Sequence, residues 1–167
     1  MISTENKTST LRKAKASATL LLKQTALEML RERKTPKGDA LEVAKVAGIM
    51  AAKRTSDIIP YCHPLPLDQV TIDYEFKDTE VKVTSTVTAI WKTGVEMEAL
   101  IAAQITAVTL FDMLKMIDPE MKITDVHVLE KTGGKSSYKE SIPEDFKAAV
   151  IVTSDGTFAG KRRDRSG

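Results

Sequence analysis

The segment 95–110 limits the fold more than any other part of the chain. Alanine, leucine, isoleucine and valine run nearly all the way round its helical repeat. A helix of that kind must be covered on several sides. Burial wholly inside one domain and burial against another copy of the chain both satisfy the pattern. Just beyond it stand Asp112 and Lys115, three residues apart and therefore on one helix face. Taken alone they read as an ordinary surface ion pair. A carboxylate and an ammonium closing an apolar helix are also a pair whose proton affinities shift, as acid–base chemistry requires.

The rest of the chain supplies what such a helix packs on. Val70, Ile72, Tyr74 and Phe76 alternate with polar residues, as do Val81, Val83, Ser85, Val87 and Ala89. With the polar stretch 77–80 between them, these runs predict a β-hairpin. Residues 11–23 are ambiguous: alanine and leucine favour a helix, yet Ala16, Ala18, Leu20 and Leu22 also fit a strand. Residues 25–33 read as a helix. A second begins at Asp39, with Glu42 in place for a reciprocal cap, and runs to about Thr55. Three prolines make residues 58–66 irregular. The long helix should end near Ile117 before Asp118-Pro119, followed by a strand over 122–129 and a mobile loop over 131–137. With 11–23 as a strand the order is β-α-α-β-β-α-β. That is an α+β, ferredoxin-like split βαβ sandwich with one extra helix. Its sheet has one face without helices, which together with the apolar helix leads to an oligomer.

Bulk properties exclude several classes. At 167 residues the chain holds one full domain and little more. A net charge of +2 gives no general attraction to nucleic acid. Cys62 is the sole cysteine, so no disulfide forms within the chain, which fits a reducing compartment. No apolar run reaches the roughly 20 residues of a membrane span, and residues 1–10 lack the apolar core of a signal peptide. The expectation is a cytoplasmic protein.

Several side chains are candidates for chemistry. Lys37 sits in a Pro-Lys-Gly-Asp loop before a helix N-terminus, and Lys135 follows two glycines; each suits an anion, though a solvated loop charge is the simpler reading. His63 stands in the proline-rich loop, where it would be held as a preorganised donor or simply bond to backbone. Cys62 reads as a small buried side chain, and Trp91 as core. Glu96 and Glu98 complement a helix dipole and could also accept from the N–H groups of a nucleobase or pterin. Arg12 is ambiguous by itself. His63, His127 and Cys62 lack metal-ligand spacing, so no metal site is expected.

Taken together, these segments resemble a known family. Lys37-Gly38-Asp39, the run Ala47-Gly48-Ile49-Met50-Ala51-Ala52-Lys53-Arg54-Thr55, Ile59-Pro60-Tyr61-Cys62-His63-Pro64-Leu65, Lys92-Thr93-Gly94-Val95-Glu96-Met97-Glu98-Ala99-Leu100, Asp112-Met113-Leu114-Lys115 and Gly133-Gly134-Lys135-Ser136 are similar, in order, to the MoaC-type cyclic pyranopterin monophosphate synthases. The resemblance spans about residues 10–137. Two departures are the opening Ile2-Ser3-Thr4-Glu5 and Tyr61, where leucine is common.

The resemblance implies a lyase of molybdenum cofactor biosynthesis. Its substrate would be 3′,8-cyclo-7,8-dihydro-GTP, its product cyclic pyranopterin monophosphate, with pyrophosphate released. It implies Asp112 and Lys115 as the catalytic pair, with Lys37 beside them. Lys37, Lys135 and Arg12 would face phosphates, while Tyr61, Cys62, His63, Met97 and Glu98, with Glu96 as a neighbour, would contact substrate. Dimers assembled into a hexamer would place the site at the dimer interface. No cofactor is required, although a divalent cation could accompany the substrate triphosphate. A non-catalytic nucleotide- or pterin-binding oligomer is the alternative. Residues 1–142 form the synthase-like domain. Residues 143–167 read as a linker and the incomplete, disordered start of a second domain resembling the MogA/MoaB type.

Overall fold

The computed structural model describes residues 1–134 and the backbone of 138–139. Lys135 and the expected second domain at 143–167 lie outside the described residues.

The ambiguous stretch is a strand. β1 (Thr10–Leu21) is central, pairing antiparallel with β3 on one side and β4 on the other. Ala14, Ala16, Ala18 and Leu20 are buried at period two beneath the long helix. Their small side chains permit helical propensity, yet also let a helix lie close to the sheet. Pairing on both edges decides the matter.

β1 leads into α1 (Gln24–Arg31), α2 (Ala40–Lys53) and the single turn α3 (Thr55–Ile58). The sequence anticipated one extra helix; the structure adds this further turn. The Asp39 carboxylate caps α2, accepting from Leu41 N at 3.2 Å and Glu42 N at 3.3 Å. Glu42 does not complete the expected reciprocal cap, because its carboxylate takes Arg33. Thr55 Oγ1 closes the end of α2 by donating to Ala52 O at 3.0 Å.

The hairpin forms as expected from β2 (Gln69–Phe76) and β3 (Glu80–Trp91). Val81, Val83, Ser85, Val87 and Ala89 face inward, and Ser85 Oγ donates to Ala99 O of the long helix at 2.6 Å. α4 (Glu96–Leu114) follows, then β4 (Lys122–Thr132) and the two-residue β5 (Tyr138–Lys139). The helix stops before Ile117 because the Leu114 carbonyl accepts from both Ile117 and Asp118 N–H groups, closing a turn. β4 runs three residues further than its apolar pattern, into a segment read as a loop. The sheet order is β2-β3-β1-β4-β5. Its four long strands and the helices make an α+β domain consistent with a ferredoxin-like arrangement.

α4 lies between the sheet and α2. Gly48 of α2 meets Ala102 and Thr106 of α4 so closely that a Cβ there would overlap Thr106 Oγ1. By length and composition α4 could cross a membrane, but its packing against sheet and α2 accounts for its apolar surface. Cover is incomplete: Val108 of α4 and Val43, Val46 and Met50 of α2 are exposed.

Candidate active site

The sequence candidates fall into two groups, near opposite ends of α4. Glu96 and Asp112 are 16 positions apart, which at about 1.5 Å per residue is roughly 24 Å along the axis.

At the C-terminal end, Asp112 is gripped by two ammonium groups. Its Oδ1 lies 2.8 Å from Lys115 Nζ, and its Oδ2 lies 2.9 Å from Lys37 Nζ. Lys37 also donates to the Asp112 carbonyl oxygen at 2.9 Å. A tight turn aims Lys37: Gly38 takes φ +98°, and Thr35 Oγ1 donates to Gly38 O at 2.6 Å. Lys37 thus serves this carboxylate rather than standing alone before a helix N-terminus. The hydrogen bond from Lys115, then that from Lys37, lowers the Asp112 pKa to about 2. Asp112 is therefore anionic at neutral pH and holds two proton-bearing groups in place.

At the N-terminal end, the proline-rich loop packs over the first turn of α4. Tyr61, Cys62, His63, Met97, Glu96 and Glu98 line a cavity of about 330 Å³ together with Leu65, Thr93 and Gly94. Cys62 is half-buried on this wall rather than fully buried, and burial, then the nearby Glu98 charge, raises its pKa. Glu98 is only 4% exposed. Burial pushes its pKa up to about 7; its own backbone N–H opposes the rise and the Glu96 charge adds to it. A carboxyl balanced in this way can give or take a proton near neutrality.

Glu96 has a partner that sequence reasoning missed. Lys131 Nζ lies 3.2 Å from Glu96 Oε1. Lys131 pairs with Ala14 in the sheet and so shares its helix-covered face. A register shift between Lys15 and Ala16 breaks the period-two pattern at Leu129, so alternation in the sequence did not place Lys131 on this face. Arg12 anchors beside this region through Nε, which donates to Trp91 O at 3.2 Å. Trp91 itself is half-buried at the end of β3, not core. Two adjoining compartments share lining residues with the first. One, of about 280 Å³, touches Tyr61, His63, Thr93 and Lys7. The other, of about 480 Å³, is lined by Lys7, Arg12, Lys92, Thr93 and Gly94 among others. Among the described residues, no cluster of three or more histidine, cysteine or acidic side chains could hold a metal ion.

Residues 1–134 match the MoaC family. A molybdenum cofactor biosynthesis bifunctional protein of Chlorobaculum tepidum is 42% identical over 167 residues, covering all of this chain and 53% of that protein. The chain thus spans about half the length of that relative. A cyclic pyranopterin monophosphate synthase of Streptomyces griseus is 46% identical over 145 residues, 86% of this chain and 82% of its own. One from Streptomyces coelicolor is 48% identical over 136 residues, 81% of this chain and 80% of its own.

Proposed function

The chain belongs to the MoaC family, and on that premise we propose that it is a lyase of molybdenum cofactor biosynthesis. It converts 3′,8-cyclo-7,8-dihydro-GTP to cyclic pyranopterin monophosphate and releases pyrophosphate. The relatives named as synthases support this reading. The observation that carries it is the Lys37–Asp112–Lys115 cluster. Asp112 and Lys115 are each 53% exposed, and ion pairs in that setting add little to stability. A 75-residue separation between Lys37 and Asp112 is bridged for little structural gain, which favours a chemical use.

Remodelling the purine-derived ring needs several proton transfers, and Asp112 with Lys115 takes that work. Closing the cyclic phosphate breaks the bond between the α-phosphorus and the bridging oxygen, so pyrophosphate leaves with its charge. Lys37 and Arg12 stabilise that charge, with Lys135 in the same role by motif position. Tyr61, Cys62, His63, Met97 and Glu98 hold the ring system, and Glu96 orders Lys131 beside them. No cofactor is required by these steps, and a divalent cation accompanying the triphosphate is compatible with them.

One protomer keeps the two groups apart, so the complete site is formed between copies: one supplies the cavity, its neighbour the charged cluster. The exposed valines and Met50 on α2 and α4 support burial against a second copy. Dimers assembled to a hexamer, in the cytoplasm, complete the reading. A second, MogA/MoaB-like domain opening at 143–167 is part of it, supported by the bifunctional relative.

The test is to supply purified protein with the cyclised substrate and follow pyrophosphate release and pterin product. Asp112→Asn is expected to abolish turnover while light scattering shows the same assembly. Full activity in that variant removes Asp112 from the mechanism.

A further inference from the structure

We propose that Arg33 is a positioning residue for Lys37: it ties the loop that carries Lys37 to the start of α2 and so keeps the ammonium on Asp112. The inference rests on the reading above for the use of that charged cluster, and it adds a residue outside the cluster.

Arg33 takes φ +58°, in the left-handed region where glycine is the usual occupant. The helix end requires that backbone. Lys34 N–H donates to Met29 O at 3.0 Å and Arg33 N–H to Leu30 O at 3.1 Å, the two bonds that close a helix through one left-handed residue. The use of arginine lies in its side chain. Nη1 lies 2.7 Å from Asp39 Oδ2 and 3.4 Å from Glu42 Oε1. Glycine would relieve the backbone and lose both contacts. The Arg33 and Glu42 side chains are about half exposed, so these pairs add little to stability. A strained residue kept for contacts of small stabilising value points to a use in geometry.

The loop between α1 and α2 is fastened twice. Inside, Thr35 Oγ1 donates to Gly38 O and Gly38 N–H donates to Thr35 O at 3.0 Å, closing a four-residue turn around Pro36 and Lys37. This fastening shapes the turn but does not fix it against α2. Outside, Arg33 bridges to Asp39, whose Oδ1 already accepts from the N–H groups of Leu41 and Glu42. Desolvation works most strongly against the Asp39 charge, but Arg33 and those N–H groups together outweigh it and hold the pKa below its ordinary value. The bridge is therefore ionised at neutral pH. α2 packs on α4, which carries Asp112. Helix, cap, arginine, turn and Lys37 thus form a closed ring of contacts that returns to Asp112 Oδ2 at 2.9 Å. Without Arg33 the ring opens, and Lys37 must reach Asp112 on a flexible stem from a loop held only at its inner fastening.

The test is carboxyl-carbon NMR titration of Asp112 in Arg33→Gly and Arg33→Ala, with turnover of the cyclised substrate measured beside it. Both variants are expected to raise the Asp112 titration part of the way to its value in Lys37→Met, and to lower kcat about tenfold with little change in KM. In a Lys37→Met background, Arg33→Gly is expected to shift Asp112 no further. Lys34→Ala, which removes a neighbouring loop charge paired with Glu32, is expected to leave both readouts unchanged. An unmoved Asp112 titration in Arg33→Gly overturns the proposal. So does a shift in Arg33→Ala alone, which traces the effect to backbone strain, and so does an equal shift with Lys37 already removed. A shift that depends on Lys37, in a protein that does not turn over the cyclised substrate, keeps the positioning role and sinks only the assigned reaction.

Discussion

Replacing Glu98 by glutamine should stabilise the protein at pH 8 far more than at pH 5. The carboxyl is 4% exposed and its pKa rises from 4.5 to about 7 on folding. A raised acid destabilises the folded state once the unfolded chain has lost its proton and the folded one must follow. The cost begins as pH climbs past the unfolded value and levels off above the folded one. At 1.36 kcal/mol per pKa unit, the shift costs the wild type about 3 kcal/mol at pH 8 and about 1 kcal/mol at pH 5. Glutamine has the same shape and no charge, so the variant escapes both costs. Urea denaturation of wild type and variant at the two pH values, at one protein concentration, reads the difference directly. A stability gain of equal size at both pH values would refute the reasoning, as would a loss at pH 8. Either result means that Glu98 ionises comfortably in place despite Glu96 beside it. On the proposed function the same variant gives up substrate affinity, so stability and activity should move in opposite directions.

Two further outcomes are expected. Gly48→Ala gains about 1 kcal/mol of helix propensity but drives a methyl into Thr106 Oγ1 and to 2.9 Å from Ala102 O. Overpacking at about 1–3 kcal/mol outweighs that gain, and calorimetry should show a melting point lower by a few degrees. Lys115→Met should move the Asp112 titration up from about 2 toward the ordinary carboxylate range, and Lys37→Met should do so by less, because the Lys115 bond is the larger cause. Carboxyl-carbon NMR titration measures both, and a larger effect from Lys37→Met would contradict the order of the two contacts.

The hairpin was legible because one face of β2 and β3 is buried and the other is not, which writes itself as strict alternation. β1 was not, because alanine satisfies helix and strand alike and only the partners on both edges choose. The long helix was plain, but its end was not: the closing turn at Leu114 depends on backbone bonds that no side chain announces. Asp112, Lys115 and Lys37 could be named from motif and spacing, and the structure brings them within hydrogen-bond reach. The distance of Asp112 from Glu96 follows from 16 positions of one helix. Lys131 was hidden by a polar stretch leading into two glycines, which looks like a loop whether or not the strand continues. Cys62 and Trp91 were placed too deep, because residue type reports an average burial and not the wall of a particular cavity.

On the proposed function, α4 sets its two ends too far apart for one copy to finish a reaction that needs both. On that reading completeness belongs to the assembly and not to the polypeptide. Two crippled subunits, one damaged at Asp112 and the other at His63, would still share one intact pocket wherever they meet, while a subunit carrying both injuries would spoil every pocket it joins. Inheritance of such defects would follow the arithmetic of mixing rather than that of single molecules.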